Sequence, residues 1–452
     1  MTRSALLSIV AASLLASVAF AAVRPRYGGI LRLTTGVAPV SVDPANSTID
    51  TLATRNIYRL MFDTLVVLDT RGKPQPALAT SWQAEPGDQR WHFQLRPGLT
   101  FQDGTAIGAD AVAASLRAAN ASWKIFPTGN GIDIECQSPE PSLPAQLALP
   151  AYGIAKRTAA KLAASGAFAI TRWDPGKKLT LTARDDYWRG RAFVDSIEIE
   201  MGKSSRDQMI ALDLNQADVV EIPADQARRA TAEGRHIANA GVDLLALVFS
   251  RDARSADESK LRDALAMGID RSAINNGLLQ AQGEPAGTLL PNWMTGYAFL
   301  FPAGLNLAGA RRMRAETLAV SSWSLGYDSA DPLSRIIAER IALNAHDAGL
   351  TLQLANSAPP DLRLQRLPLD SLEPHVAITR LAAKTGTLLP KLGDDSPSSL
   401  YAAEAALLQS KRIIPLLHVR NSLGLGADVR NWMSDRDGTW HLEDVWLGAE
   451  KP

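Results

Sequence analysis

The chain has 452 residues, of which 46% are hydrophobic and 21% charged, and Lys plus Arg equals Asp plus Glu at 47 each. This composition is typical of a globular protein and excludes a disordered or fibrous chain. A formal charge of zero gives no general attraction to nucleic acid or to an anionic membrane, so no nucleic-acid partner is predicted. The length exceeds what one hydrophobic core usually fills, which predicts two lobes or domains.

The first predicted element is a signal peptide over residues 1–21. Arg3 supplies a positive start, residues 5–20 are apolar, and residues 19–21 offer a small-x-small cleavage site. An uncleaved membrane anchor is the alternative, but the apolar run is shorter than the roughly 20 residues that a span needs. Cys136 is the only cysteine, so there is neither a lipid-anchor cysteine near the cleavage site nor an intramolecular disulfide. We therefore expect a soluble periplasmic protein.

Strand and helix patterns alternate along the rest of the chain. Single residues alternate in polarity in several short runs, which is typical of half-buried strands, while an apolar stripe at helical spacing predicts a helix over 109–119. The predicted strands cover residues 29–33, 91–95, 179–183, 197–201 and 413–418. This order of elements predicts α/β lobes.

Two features of the second half are more distinctive. Residues 244–249 form a continuous apolar run, which predicts a strand buried on both faces or one that crosses between lobes. A helix is predicted to begin with Asp331 as N-cap and to stop at Gly349. Its predicted apolar face consists of Leu333, Ile336, Ile337 and Ile341. Residues 356–399 have weak periodicity and give no clear prediction.

No motif indicates catalysis, a metal or a cofactor. The six histidines include no pair at the i, i+4 spacing that places two imidazoles on one helical face, and the chain lacks a Gly-x-Ser-x-Gly elbow. Residues 435–438 resemble part of a calcium loop, but a turn between strands fits them better. Cys136 lies in an alternating run, where a small buried side chain is expected. We predict no catalytic residue, no metal ligand and no cofactor.

Several blocks, in order, resemble the peptide/nickel class of solute-binding proteins of ABC importers, the family 5 type. Residues 76–82 and 91–104 are similar to the family's most recognisable segment, "pALA.sW…w.F.LR.gv.F.DG". Further similar blocks are residues 28–33, 42–44, 110–112, 184–190, 262–271, 289–297 and 414–418. The resemblance implies an α/β, two-lobed periplasmic-binding-protein-like clamp of the type II, cluster C style, with an extra subdomain in the first lobe.

The resemblance also implies a domain division and partners. Lobe one would cover residues 22–247, with an inserted subdomain at about 46–164, and lobe two would cover residues 248–412 in shortened form. Residues 413–452 would return to lobe one. The protein would be a monomer that closes on a small-molecule or peptide ligand and presents both lobes to an ABC-transporter membrane permease.

Departures from the family pattern bear on the ligand. The asparagine that usually ends the crossing strand is Ser250, and the family's "W..Dy.DP" block has no match between residues 356 and 399. That block often carries the acidic group that grips a peptide amino terminus. A smaller ligand, or a lost one, is therefore plausible.

The predicted function is capture of a small solute, such as a peptide or a nickel chelate, between the lobes. The alternatives are a diverged, non-transporting scaffold or interaction protein on the same fold and, more weakly, an exported hydrolase. Strand ends and the segments between lobes border such a cleft, so residues at these positions are the candidate ligand contacts. They are Thr34, Thr35 and Gly36 after the first strand, Ser250 and Arg251 after the crossing strand, Trp293, and His418 and Arg420 on the returning strand.

Overall fold

The computed structural model describes residues 25–46, 51–158, 161–318, 322–355, 359–390 and 396–448. The predicted signal peptide, residues 1–21, lies outside these residues. The strands are β1 Ile30–Thr34, β2 Val66–Leu68, β3 Pro74–Pro76, β4 Ala79–Ala84, β5 Arg90–Leu95, β6 Lys124–Thr128, β7 Gly131–Glu135, β8 Ala155–Arg157, β9 Leu162–Ala164, β10 Phe168–Asp174, β11 Lys178–Ala183, β12 Ser196–Glu200, β13 Val219–Ile222, β14 His236–Phe249, β15 Gly283–Pro285, β16 Ser322–Gly326, β17 Thr351–Leu354, β18 Leu362–Pro368, β19 Ile413–Leu425, β20 Val429–Arg430 and β21 Trp446–Leu447.

The helices are α1 Leu52–Met61, α2 Ala109–Ala119, α3 Leu143–Gln146, α4 Ser205–Asp213, α5 Ala224–Ala232, α6 Ala256–Gly268, α7 Arg271–Ala273, α8 Asn292–Thr295, α9 Leu307–Ala315, α10 Pro332–Asp347, α11 Pro374–Thr385 and α12 Pro397–Gln409. Short 3-10 or π turns occur at Pro44–Asn46, Pro150–Tyr152, Ile274–Leu278, Ala298–Leu300 and Leu442–Asp444. The strands predicted near residues 30, 93, 181, 199 and 415 are all present, as is the helix predicted over 109–119.

One large sheet joins two lobes. Its strand order is β10-β11-β12-β1-β13-β19-β14-β18-β16-β17, with β15 added along β19. The first half of β14 and the second half of β19 pair with each other beside β13 in lobe one, whereas their other halves pair in lobe two beside β18. The apolar run at 244–249 is therefore part of a strand that crosses between lobes, one of the two alternatives predicted for it.

The two crossing strands change lobe at a bulge. Their register shifts between Asn239 and Val242, opposite Asn421. Gly241, within this bulge, has a φ of +96°, and a Cβ there would lie 2.7 Å from the backbone N of Gly438. Only glycine fits such a positive φ and such a close backbone approach at low cost.

Lobe one contains a separate subdomain. The antiparallel sheet β4-β5-β7-β6 packs with α2 around a core of its own that runs from Leu65 to Ala163. Cys136, at the end of β7, is half-buried against this core, and burial raises the pKa of its thiol to about 11. A raised pKa keeps the thiol protonated and poorly reactive, in keeping with a packing role.

Lobe two contains the segment that the sequence left unpredicted. Within 356–399, residues 362–368 form the central strand β18, and residues 374–385 form helix α11. Helix α10 begins as predicted, since the Asp331 carboxylate accepts a hydrogen bond from the Leu333 N–H. Ile337 and Ile341 are buried in its apolar face, but Ile336 is 47% exposed and was wrongly placed on that face.

The domain boundaries predicted at 247/248 and 412/413 stay a prediction. Strand pairing changes lobe near Gly241 and Asn421, so the boundary at 247/248 falls within the lobe-two half of β14 and the boundary at 412/413 falls at the start of the lobe-two half of β19. The predicted turn at 435–438 is present: the Gly438 N–H donates to the Asp435 carbonyl, and Ser434 and Trp440 pair as an antiparallel bridge around it.

Candidate functional site

A cavity of about 860 Å³ lies between the two lobes beside the crossing strands. A volume of this size is typical of small-molecule sites. Lobe one supplies Val37, Thr51, Leu52 and Glu221, and the crossing strands supply Asp243, Leu245, Val419 and Asn421. Lobe two supplies Tyr327, Asp328, the start of α10, residues 363–368 of β18, and Lys384 near the end of α11. Both lobes therefore form its wall.

Strand alternation decides which residues of β19 reach the cavity. Val419 and Asn421 line it. Side chains that are one residue apart on a strand point to opposite faces, so His418 and Arg420 face away. Arg420 is exposed and pairs with Glu284 at 3.3 Å. The sequence identified the correct strand for these two predicted contacts, but the register places its neighbours at the cavity.

Arg366 joins three strands at the cavity wall. Its Nε donates to Asp243 Oδ2 at 2.7 Å and its Nη2 donates to Asn421 Oδ1 at 2.8 Å. Asp243 is buried, with a side-chain exposure of 9%, whereas the side chain of Arg366 is 40% exposed. A charge-assisted hydrogen bond to a largely buried carboxylate holds the guanidinium in a fixed orientation. Arg366 thus connects β18, β14 and β19 next to the bulge at Gly241.

Glu221 is fixed from within lobe one. Its Oε2 accepts hydrogen bonds from Thr35 Oγ1 at 3.0 Å, from the Gly36 N–H at 2.7 Å and more weakly from Gln208 Nε2 at 3.4 Å. Of the predicted contacts after β1, Thr34 and Thr35 are buried, and neither lines the cavity. Thr35 and Gly36 therefore position a cavity residue that the sequence analysis did not identify.

A second charged cluster, at residues 55, 370, 380 and 384, connects the lobes beside the cavity. Arg55 of lobe one donates from Nη1 to the Leu369 carbonyl of lobe two at 2.7 Å and from Nη2 to the Asp437 carbonyl at 2.9 Å. Asp370 Oδ2 lies 2.7 Å from Lys384 Nζ and 3.5 Å from Arg380 Nε. The first turn of α11 adds apolar contacts to lobe one, where Val376 packs against Ala145 and Leu149.

The remaining predicted contacts lie away from the cavity. Ser250 and Arg251 follow the far end of β14, where the Ser250 N–H donates to the Asp361 carbonyl and Arg251 pairs with Glu258 at 2.9 Å. Trp293 is 38% exposed, and the guanidinium of Arg436 lies 5.4 Å from the centre of its ring. The structure does not bring these three residues together with the lining residues.

His418 has a structural environment of its own. Its Nε2–H donates to the Leu289 carbonyl at 3.1 Å, and burial lowers the pKa of the imidazole to about 4. Because the unfolded chain binds this proton at a pKa near 6.5, the unfolded state gains protons first as the pH falls. The contribution of His418 is therefore fully present above about pH 6.5 and declines towards pH 4.

We predict that protonation of this histidine lowers the free energy of unfolding by about 2 kcal/mol between pH 7 and pH 4.5. Urea denaturation at a series of pH values, compared with His418→Gln, measures the difference. His346→Gln, at an exposed position on α10, is the matched control and should keep the wild-type pH dependence. Parallel pH curves for wild type and His418→Gln would contradict the assignment.

The chemistry of the lining residues is that of polar recognition. They combine carboxylates, guanidinium groups and an ammonium group with apolar side chains. Within the described ranges, no group of three or more His, Cys, Asp or Glu residues could hold a metal ion. The cavity is bounded by two lobes that are joined by two crossing strands, which is the architecture of a two-lobed clamp.

Comparison with known proteins identifies the family. Residues 73–384 match the family model of bacterial extracellular solute-binding proteins, family 5 Middle. The chain therefore belongs to the family 5 extracellular solute-binding proteins, a solute-binding transport family, and the predicted resemblance and two-lobed α/β fold are confirmed. In the parts of the chain described above, no helix is long and apolar enough to span a membrane.

Relatives of known name share the sequence over part of their length. The chain is 25% identical over 249 residues to the probable D,D-dipeptide-binding periplasmic protein DdpA of Escherichia coli, covering 49% of this chain and 48% of that protein. It is 22% identical over 244 residues to the nickel-binding protein NikA of Staphylococcus aureus, covering 50% and 49%. The matches therefore span about half the length of these relatives.

Solved structures share the fold over nearly the whole chain. The structure of S. aureus NikA in complex with Ni(L-His)2 superposes with a TM-score of 0.77 at 16% identity, covering 92% of this chain and 99% of that one. NikA from Brucella suis in complex with Fe(III)-EDTA gives a TM-score of 0.78 at 16% identity, covering 93% and 100%. At these identities the similarity establishes the fold alone.

Proposed function

We propose that this protein is a periplasmic solute-binding receptor that encloses a small ligand between its lobes and delivers it to the permease of an ABC transporter. The observation that carries the proposal is the cavity of about 860 Å³, whose wall is formed by both lobes and by the crossing strands. A ligand in this position contacts both lobes at once, so its binding energy favours the closed arrangement.

The proposal includes the absence of catalysis and the monomeric state. The four carboxylates that line the cavity have partners within the protein: Asp243 is paired with Arg366, Glu221 is held by lobe one, Asp331 caps α10, and Asp328 accepts a hydrogen bond from the Ala330 N–H. A binding role needs such fixed charges, whereas general acid or base catalysis needs a group that exchanges protons with the substrate. The names of the relatives suggest peptides and nickel chelates as the first ligands to test.

Native mass spectrometry of protein purified gently from the periplasm tests the proposal directly. We expect a retained small molecule, and we expect thermal stabilisation by members of a panel of peptides, nickel chelates and oligosaccharides. A ligand at about 100 times its dissociation constant stabilises the fold by roughly 2.7 kcal/mol, which is measurable. A protein that is empty and that no member of the panel stabilises would favour the diverged scaffold instead.

Arg366 provides the variant that links this binding to the cavity. We predict that Arg366→Met weakens the retained ligand by about tenfold or more, because the wall loses a fixed charge and the Asp243 carboxylate loses its partner. Arg335→Met is the control, since Arg335 is on the exposed side of α10 and pairs with Glu339 at 2.9 Å. Equal binding by wild type and Arg366→Met would place the ligand elsewhere.

A further inference from the structure

Residues 369–376 of lobe two lie against lobe one. The segment begins beside the crossing strands, where the Leu369 N–H donates to the Val242 carbonyl at 3.4 Å. Further along, Leu372 lines a cavity of about 170 Å³, and all the other described residues that line this cavity belong to lobe one. Leu372 is 4% exposed. A side chain of lobe two is therefore buried against lobe one.

A tight turn of the subdomain contacts the same leucine. The turn follows β2, and the Asp69 carboxylate fixes it by accepting hydrogen bonds from the N–H groups of Arg71 at 2.9 Å and Lys73 at 3.0 Å. Gly72, within this turn, has a φ of +78°, and a Cβ at its position would lie 2.4 Å from the Leu372 carbonyl oxygen. The two backbones approach each other so closely that only glycine fits between them.

Helix α11 extends the contact between the lobes. Val376, in its first turn, is buried against Ala145 and Leu149 of the subdomain, and Glu373 caps this turn. The helix has 12 residues and is about 18 Å long. Lys384, in its last turn, lines the cavity between the lobes. One helix therefore connects the subdomain with the wall of the ligand cavity.

We propose that the subdomain of lobe one is a latch that holds lobe two in the closed arrangement, through the turn at residues 69–73 and the surface at Ala145 and Leu149. This inference rests on the proposed function, because a latch acts only in a clamp that opens. When a clamp opens about its connecting strands, those strands keep their neighbours and the facing surfaces of the lobes separate. The apolar contacts of Leu372 and Val376 are lost on opening, so they stabilise the closed arrangement even without a ligand.

Gly72→Ala tests the turn of the latch with one methyl group. The new Cβ clashes with the Leu372 carbonyl in the closed arrangement alone, whereas the positive φ has the same cost in both arrangements. We expect the ratio of closed to open molecules to fall by about tenfold or more. Gly104→Ala is the matched control, because Gly104 lies in the same subdomain with the same φ of +78°, and no atom of the described residues lies within 4 Å of its Cβ position.

Val376→Ala tests the apolar surface of the latch, at a helical position where alanine is well tolerated. The change removes two methyl groups from the contact with the subdomain, and we expect the ratio of closed to open molecules to fall by about threefold or more. Ile378→Val is the control, because Ile378 lies on the same helix but is buried within lobe two. This control weakens the packing of lobe two and should leave the ratio unchanged.

Double electron–electron resonance measures the ratio in the ligand-free protein. Spin labels at Lys124→Cys, on β6 of the subdomain, and at Asp347→Cys, at the end of α10, occupy exposed positions on the two lobes, and Cys136→Ser removes the native thiol. We expect the short distance of the closed arrangement in this parent, a longer distance in Gly72→Ala and Val376→Ala, and no change in the controls. A long distance in the parent, the parental distance in either latch variant, or an equal shift in the controls would overturn the inference.

The labels report on the protein without a ligand, so failure of this inference is distinguishable from failure of the proposed function. If native mass spectrometry finds a retained solute but the latch variants keep the parental distance, the receptor function stands and the latch is wrong. If the protein is empty but the latch variants open, the latch stands and the receptor function is wrong.

Discussion

Gly241→Ala is expected to destabilise the protein by about 4 kcal/mol. The new Cβ would lie 2.7 Å from the Gly438 backbone N and 2.8 Å from the Asp437 carbonyl carbon, distances that require a backbone shift. The positive φ of +96° adds a cost of about 1–2 kcal/mol for any side chain. Because this bulge is where β14 passes from one lobe to the other, the shift also alters the relative position of the lobes.

Gly87→Ala is the matched control for this prediction. Gly87 has the same φ of +96°, but no atom lies within 4 Å of the position of its Cβ. The difference in free energy of unfolding between the two variants therefore isolates the close approach at the bulge from the backbone strain. Urea denaturation measures both, and we expect Gly87→Ala to lose only about 1–2 kcal/mol. Similar losses of free energy of unfolding in the two variants would show that the backbone at residues 437 and 438 moves away from the new Cβ at little cost.

The sequence was sufficient to predict the fold, because the patterns that define strands and helices are local and recur along the chain. The alternation in β5 and the apolar run in β14 result from burial on one face or on both, and such patterns survive without knowledge of the partner strand. Helix α10 was predicted from its N-cap at Asp331 and from Pro332, which act within one turn. Strand β18 was missed because the alternation from Leu362 to Gln365 covers only four residues before Arg366 breaks it.

Arg366 also explains why the site was harder to predict than the fold. Arg366 belongs to a strand that lines the cavity. Its polar side chain breaks the apolar pattern by which a strand is predicted, and the same side chain forms part of the cavity wall. A polar residue next to a buried apolar run, such as Asp243 before residues 244–249, is the signal that was available for the wall. The role of Asp243 in the cavity wall depends on its hydrogen bond with Arg366, which is 123 residues away in the sequence.

Positional reasoning also cannot choose the face of a strand. His418 and Arg420 were selected on β19, while Val419 and Asn421 reach the cavity. A shift of one residue reverses every side chain. Burial does not separate the two sets, because each contains one buried residue, His418 or Val419, and one that is not buried, Arg420 or Asn421. Only the pairing of Asp243 with Val419 and of Leu244 with His418 determines which set faces the cavity.

The second large effect is expected at Glu404, a buried carboxylate on α12 in lobe two. Glu404 is 0% exposed. Its Oε1 accepts hydrogen bonds from the backbone N–H groups of Leu289 at 2.5 Å and Leu290 at 3.1 Å, and its Oε2 accepts one from the Tyr297 hydroxyl at 2.8 Å. Glu404→Ala leaves three buried donors without an acceptor and opens a cavity, which we expect to cost about 4 kcal/mol.

Substitution by glutamine separates charge from hydrogen bonding at this position. Burial raises the pKa of the Glu404 carboxyl, so its folded pKa lies above the unfolded value near 4.3 and its contribution to stability declines as the pH rises through the folded pKa. Glu404→Gln retains an acceptor for the N–H groups of Leu289 and Leu290, so we expect its free energy of unfolding at acidic pH to be about 1–2 kcal/mol below that of wild type. As the pH rises, the free energy of unfolding of this variant should decline less than that of wild type. Urea denaturation at pH 5 and pH 8 measures both variants, and Glu316→Ala, at an exposed glutamate after α9, is expected to stay within about 0.5 kcal/mol of wild type. A loss in Glu404→Ala no larger than that of Glu316→Ala would mean that the loop at Leu289 finds its acceptors elsewhere.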